Sequence, residues 1–170
     1  MATVIDGTTG VSLVQDGVVV NADIVSVASS KVTGTTTNDN AAAGQVGEYV
    51  ESVVAVGSAV SLVTNTAKTV TSISLAAGDW DVGGYISANA SGSVLTAYAG
   101  SANARTTNAL PSGNTDTTLH NCPASGPQQF TVPTCRVSLS GTTTLYLVAF
   151  ATFASGTCVA YGRISARRVR

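Results

Sequence analysis

Hydrophobic and polar residues alternate along most of the chain with the two-residue period of β-strands, most regularly from residue 45 onward. No stretch keeps apolar residues at the i, i+3, i+4, i+7 spacing of a helix behind a capping residue. The alternating stretches are rich in β-branched and aromatic residues and are bounded by Gly, Asn, Ser and Asp clusters. The predicted strands are 48–56, 59–63, 69–75, 80–88, 94–99, 130–139, 144–153 and 158–169. Eight strands in this length predict an all-β jelly-roll β-sandwich.

The first 44 residues have a different pattern. Asp-Gly turn dipeptides at 6–7 and 16–17 adjoin short apolar runs, and a polar, turn-rich stretch follows at 33–44. So little apolar material cannot bury a core of its own. We therefore predict an extended N-terminal attachment arm at 1–44 and a β-sandwich module at 45–170. The apolar residues expected to make the attachment contacts are Val4, Ile5, Val11, Leu13, Val18 and Val20.

The segment 144–153 is apolar on both faces of the predicted strand. In a sandwich, one face packs on the opposite sheet and the other meets water, so a strand apolar on both sides needs a second partner. A larger monomeric core is the alternative, but the chain has no predicted helices to cover this strand. Because large exposed apolar patches mark association, we predict an interface between copies of the chain that contains Tyr146, Val148 and Phe150.

A long stretch between residues 100 and 129 is rich in Asn, Thr, Ser, Pro and Gly and is predicted to be a loop, with room for one short, weakly patterned strand. Loops of this length are uncommon in compact domains and are usually functional. Polar side chains of this kind suit the hydroxyl groups of a glycan, although inert surface loops share the composition. The candidates for receptor binding are Asn103, Arg105, Asn108, Asn114, Asp116 and His120.

Charge is sparse: 10% of the residues are Asp, Glu, Lys or Arg, whereas about 25% is usual in globular proteins. The formal net charge is −1, so a nucleic-acid partner is not expected. The longest apolar runs fall well short of the ~20 residues of a membrane span, and the N-terminus lacks the pattern of a secretory signal. We expect synthesis in the cytoplasm and no membrane insertion.

The residues that carry chemistry are few. His120 is the only histidine and lies in the predicted loop, where a solvated residue is expected rather than a catalytic base. Asp79 and Asp81 share a strand face and are expected to keep an exposed strand soluble, with Trp80, Val82 and Ile86 facing the core. Gly83-Gly84 predicts a bulge or a close backbone contact. We expect no enzyme, no metal and no cofactor.

Three cysteines stand at long spacings, which fits neither a disulfide framework nor a paired-cysteine zinc site. Small buried hydrophobic side chains are the favoured interpretation. Cys135 and Cys158 fall in strands that are able to be neighbours, so a bridge between them is the alternative. Which of Cys122, Cys135 and Cys158 pair, if any, is left open.

A resemblance rests on Gly-Asp-Trp-Asp-Val at 78–82 with the glycine-containing strand that follows it, on the segment 136–149 and on the arginine-rich segment 160–170. Together they are similar to a family of bacteriophage and prophage tail-fibre or virion-surface proteins. The opening at 2–17 resembles the N-termini of other phage structural proteins. The strand order also resembles the jelly roll of C1q and tumour-necrosis-factor modules. That resemblance implies trimers held by aromatic inner strands, although nothing collagen-like or coiled-coil precedes the module here.

In a jelly roll of that type the first and last strands are neighbours. Glu48 and Glu51 lie in the first predicted strand, and Arg163 and Arg167 in the last. We therefore expect these four residues to form cross-strand or intersubunit ion pairs. Such pairs contribute little energy but help to set strand register.

The resemblance implies a virion structural protein of tail-fibre or receptor-binding type. Its partners would be two further copies of the chain, other virion proteins through residues 1–44, and a host surface glycan or protein. A capsid decoration or head-fibre protein is the alternative, favoured by the short length and the lack of a shaft.

Overall fold

A computed structural model describes residues 37, 39–121 and 123–170, except for the side chain of Asn114. The chain divides into two compact units, Met1–Asp39 and Asn40–Arg170, and the second is the subject below. It begins at Asn40. The Asn40 side-chain amide donates to the Tyr49 carbonyl at 2.8 Å and accepts from the Tyr49 N–H at 2.9 Å. The predicted attachment contacts at Val4, Ile5, Val11, Leu13, Val18 and Val20 lie outside the described residues.

The second unit is all-β, as predicted. Two short 3₁₀ turns, Val56–Ser58 and Ser112–Asn114, are its helical elements. No helix in the described part of the chain is long and apolar enough to cross a membrane. The strands are β1 (Tyr49–Val54), β2 (Val60–Leu62), β3 (Lys68–Leu75), β4 (Gly78–Ala104), β5 (Thr118–His120), β6 (Ala124–Leu139), β7 (Thr143–Phe153) and β8 (Thr157–Arg168).

Strand β4 differs most from its prediction, because the segments 80–88 and 94–99 are parts of one 27-residue strand. The chain bends between them at Gly92, whose φ of 69° suits glycine, and the pairing with β6 shifts register between Ala90 and Leu95. The predicted loop is correspondingly shorter. It contains the end of β4, the short strand β5 and the start of β6.

Strand β4 joins two halves of one antiparallel sheet. Its first part lies between β8 and β6, and β8 also pairs with β1 and β2, which confirms that the first and last strands are neighbours. Its second part lies between β7 and β5, and β7 also pairs with β3. The two outer strands meet where the Ser52 hydroxyl of β1 lies 2.6 Å from the Thr71 hydroxyl of β3. The sheet is therefore nearly closed.

One hydrophobic core fills the space between the two halves. Its largest side chains, such as Trp80, Ile86 and Leu147, are fully buried, and removal of this apolar surface from water is the main force that holds the halves together. The indole N–H of Trp80 donates to the Ala76 carbonyl at 3.0 Å, so its polar atom is satisfied. The prediction that Trp80, Val82 and Ile86 face the core is confirmed.

The Gly83-Gly84 pair lies in the first part of β4 and meets both expectations. The β4–β6 register shifts between Val82 and Gly84, which marks a bulge. Pro133 of β6 is accommodated there because a bulge removes the need for a ladder N–H. A Cβ at Gly84 would collide with the backbone carbonyl of Arg163, so the strands approach closely at this point.

The positions of the cysteines rule out the alternative of a bridge between Cys135 and Cys158. Cys135 lies on β6 and Cys158 on β8, and β4 runs between these strands, so they are not neighbours. Both are free thiols. Burial raises the pKa of Cys135 to about 11 and also raises that of Cys158. Cys122 lies outside the described residues.

Candidate functional site

A groove crosses the outer face of the first half of the sheet, over β1, β8, β4 and β6. Outward-facing residues of these strands stand in rows, and the middle row is low because it contains Gly83 of β4 opposite Ser165 of β8. Thr134 of β6 borders Gly83 on the far side. The groove has a volume of about 420 Å³. We call it the outer groove; its walls are Tyr49, Arg167 and Asp81 on one side and Arg163, Tyr85 and Thr131 on the other.

Each wall of the outer groove has a tyrosine ring with an arginine over it. The Arg163 guanidinium carbon lies 5.7 Å from the centre of the Tyr85 ring, and that of Arg167 lies 5.8 Å from the centre of the Tyr49 ring. Cation–π contacts of this length hold both partners in place at a partly exposed site. The rings are half-buried, so part of each remains open to solvent.

Carboxylates balance the arginines around the outer groove. Glu51 accepts a hydrogen bond from the Tyr49 hydroxyl at 2.9 Å and lies 3.7 Å from an Arg163 nitrogen. The buried Nε of Arg163 has no hydrogen-bond partner among the described residues. Glu51 and Arg163 thus form an ion pair across β1 and β8. Of the other two residues predicted to form such pairs, Arg167 lies over Tyr49, and Glu48 contacts a different arginine, Arg168.

A second charged cluster lies at the end of the sheet where the unit begins and the chain ends. Arg168 is buried, with its guanidinium carbon 4.2 Å from the Trp80 ring centre, and it donates to Glu48 at 2.9 Å and to the Ala77 carbonyl at 2.7 Å. A hydrogen bond from the Gly44 N–H, together with Arg168, lowers the pKa of Glu48. This cluster fastens the first and last strands to the core.

Asp79 belongs to the same end and corrects a prediction. It was expected to keep an exposed strand soluble, but it is buried, because Arg136 and Arg170 fold over it and donate to its Oδ2. These partners, Arg136 first, hold the pKa of Asp79 well below its usual range. Asp81, two residues along the strand, is exposed as expected.

The outer face of the second half is covered by its own chain. Val148 and its cross-strand neighbour Ser101 are fully buried, although neither belongs to the core between the halves. The segment that follows β4 reaches β3, where Asn108 accepts from the Thr69 N–H at 2.9 Å and donates its own N–H to the Thr69 hydroxyl at 2.8 Å. Thr69 is the cross-strand partner of Val148 in β7.

This arrangement removes Val148 from the interface predicted at Tyr146, Val148 and Phe150. Val148 is 0% exposed within one chain, so it is not available to a second copy. Tyr146 and Phe150 are half-buried. Part of the second apolar face of β7 is therefore buried within the same chain. The absence of predicted helices does not exclude such burial.

The predicted receptor-binding residues are only partly free. Asn103 donates to Asp116 at 2.9 Å, and Asn108 is held by Thr69. Arg105 is exposed. It borders a cleft of about 370 Å³ together with Asn103, Thr106 and 109–112. Asn114 lies in the turn Ser112–Asn114, and its side chain is outside the description.

His120 is not a solvated loop residue. It lies on β5, with its ring stacked 4.8 Å from that of Tyr98 and edge-on to Phe130 at 5.7 Å. The residue therefore packs against the rim of the core. Among the described residues, no group of three or more His, Cys, Asp or Glu side chains is placed to hold a metal ion.

Sequence analysis did not predict the outer groove as a site. Tyr49, Tyr85 and Ser165 lie in three strands that are far apart in the sequence, and only the strand register brings them together. The available signal was the alternation that places Tyr85 two residues after Gly83 on the same face.

Comparisons with known proteins give little further guidance. No family model matches the sequence, and no curated protein matches it. A chain in a solved structure titled "Structure of infectious bursal disease virus Gx strain" is similar over 71% of this chain and 30% of that chain, with 12% identity and a TM-score of 0.38. The chain thus spans less than a third of the length of that chain. A likeness this distant does not bear on function.

Proposed function

We propose that the chain is a bacteriophage virion structural protein of tail-fibre or receptor-binding type, without catalytic activity. Residues 1–44 attach it to the particle, and the β-unit is displayed on the virion surface. The resemblance of segments 2–17, 78–82, 136–149 and 160–170 to phage tail-fibre and virion-surface proteins supports this role.

The observation that carries the proposal is the placement of the two ends of the β-unit. Asn40, where the unit begins, is bonded to Tyr49, and Tyr49 pairs with Arg167 near the end of the chain. Both ends of the unit therefore lie at one end of the sheet. The opposite end of the sheet is the one farther from both points of the chain.

The opposite end is built from turns without charged residues. Thr64 accepts from the Phe153 N–H at 3.0 Å, and the Ser155 N–H donates to Ser93 at 3.4 Å, so two turns and the bend of β4 meet there. These segments comprise residues 63–66, 91–94 and 154–156 and contain no Asp, Glu, Lys or Arg. A polar, uncharged tip held away from the attachment end suits a displayed module.

The finer fold is proposed to be a jelly roll. The neighbour orders β1-β8-β4-β6 and β3-β7-β4-β5, with β4 shared between them, support two four-stranded sheets connected in the nested manner of that fold. We further propose that three copies associate, with contacts at Tyr146 and Phe150. Sedimentation of the purified chain tests this, and a stable monomer at micromolar concentration would refute it.

The test of the virion role uses particles from the phage that carries the gene. We expect mass spectrometry and antibody labelling to find the chain on purified particles, and Leu13→Asp to remove it while Thr9→Asp, in the same segment, leaves it in place. Absence of the wild-type chain from particles would overturn the proposal. Labelling at the tail would support the fibre role, whereas tens to hundreds of copies on the head would replace it by the decoration alternative.

A further inference from the structure

We propose that the outer groove binds a neutral oligosaccharide. The inference deepens the display role and rests on it, since it names what the displayed unit recognises. It also moves recognition away from the loop at 103–120, where several predicted residues are engaged in intramolecular contacts.

The shape of the outer groove suits a chain of sugars. Its floor is low because Gly83 has no side chain and Ser165 has a small one, while tyrosine, arginine and aspartate side chains rise on either side. The groove runs across the strands, so the backbone of four paired strands keeps its width constant. A preformed groove of this kind binds without a large ordering cost.

The chemistry of the walls matches the two kinds of surface on a pyranose. The C–H groups of a sugar ring form an apolar face that packs on an aromatic ring, and Tyr49 and Tyr85 offer one ring on each wall. Because Arg163 and Arg167 lie over these rings, the tyrosines are already positioned before a ligand arrives.

Sugar hydroxyl groups are both donors and acceptors, so they bind best where both kinds of partner lie close together. Guanidinium N–H groups donate, the carboxylates of Glu51 and Asp81 accept, and the hydroxyls of Ser165 and Thr131 do either. The buried Nε of Arg163 lacks an acceptor among the described residues. Because this atom is buried, the exposed terminal N–H groups of Arg163 are the donors that a sugar hydroxyl can reach.

The charge around the groove points to a neutral ligand. Arg163 and Arg167 are matched by Glu51 and Asp81, and Glu51 lies 3.7 Å from Arg163. An acidic sugar would have to separate this pair or lie beside the carboxylates. Neutral hexose and N-acetylhexosamine units meet no such cost.

The proposal is tested by binding of the full chain to an array of neutral hexose and N-acetylhexosamine oligosaccharides, with uronate- and sialate-containing ones beside them. We expect binding to neutral members, weakened at least about tenfold by Tyr85→Ala, as for a central aromatic anchor. Ser165→Tyr, which fills the floor, should abolish binding. Tyr161→Ala is the matched control, because Tyr161 faces outward on the neighbouring strand β8 but lies outside the groove, and it should bind as wild type.

Three results would overturn the proposal: no binding to neutral glycans, binding confined to acidic ones, or equal losses from Tyr85→Ala and Tyr161→Ala. Sedimentation of Tyr85→Ala tests whether a second copy of the chain occupies the groove. A change of oligomeric state in this variant would make the groove a contact between copies. Circular dichroism shows whether each variant is folded. If the chain is present on particles but binds no glycan, the glycan proposal fails and the virion role stands. If the chain binds glycans but is absent from particles, the virion role fails and the glycan proposal stands.

Discussion

The two halves of the sheet share strand β4, but their outer faces differ in how far they are exposed to solvent. On the first half, the outer face is open and bears alternating large polar and small residues, which produce the outer groove. On the second half, Val148 on the apolar outer face of β7 is fully buried, and the segment after β4 is bonded to Thr69, the cross-strand partner of Val148. An apolar outer face is therefore not by itself a sign of a partner chain. The cover came from a loop whose composition had marked it as a binding element.

The largest effect should come from a charge on the covered face. Val148→Asp places a carboxylate where the side chain is fully buried, so we expect the free energy of unfolding to fall by about 3 kcal/mol or more. Val53→Asp is the matched change on the open face, where Val53 is 55% exposed and faces Arg163. It should cost less than about 0.5 kcal/mol. Urea unfolding of both variants measures the difference, and equal losses would show that the faces do not differ.

The cover itself depends on Asn108. Asn108→Gly keeps the left-handed backbone at this position, where φ is 55°, but removes the acceptor for the Thr69 N–H. We expect a loss of about 1 kcal/mol and faster hydrogen exchange of the Thr69 amide, because the cover opens locally. Asn121→Gly, at an exposed site, should change neither. Unchanged exchange at Thr69 in Asn108→Gly would mean that another contact holds the segment.

Acid should act on the ion cluster at the end of the first half. Since the folded-state pKa of Asp79 is lowered, its ionised form stabilises the fold above the ordinary pKa of 3.8, and this contribution disappears as the pH falls toward the lowered value. Asp79→Asn should therefore be less stable than wild type at neutral pH and approach it below pH 3.8. Thermal unfolding across this range provides the measurement. A difference that stays constant with pH would contradict the assignment.

The smallest effect should come from the ion pair beside the outer groove. The side chains of Arg163 and Glu51 are 44% and 43% exposed and lie 3.7 Å apart, so solvent screens their attraction. A double-mutant cycle with Glu51→Ala and Arg163→Ala should give a coupling of about 0.5 kcal/mol or less. A coupling several times larger would mean that this wall is as strongly held as the covered face.

These comparisons also show how far sequence reasoning extends. Period-two alternation identified the strands and placed Trp80, Val82 and Ile86 in the core, because both depend on residues close in sequence. It could not show that Asn108 would reach Thr69, or that Arg136 and Arg170 would cover Asp79. Those contacts depend on register and on the path of a loop. The outer groove could not be predicted from the sequence for the same reason, since Ser165 and Gly83 become neighbours only in the sheet.

The pairing of the strands also orders events during synthesis. Every ladder among the described residues joins one of β1 to β4 with one of β5 to β8. The first four strands are thus synthesised before their partners, and β1 and β2 pair only once β8 has been made. Such long-range pairing predicts slow folding. A chain cut before Thr157 would lack the strand on which β1 and β2 depend.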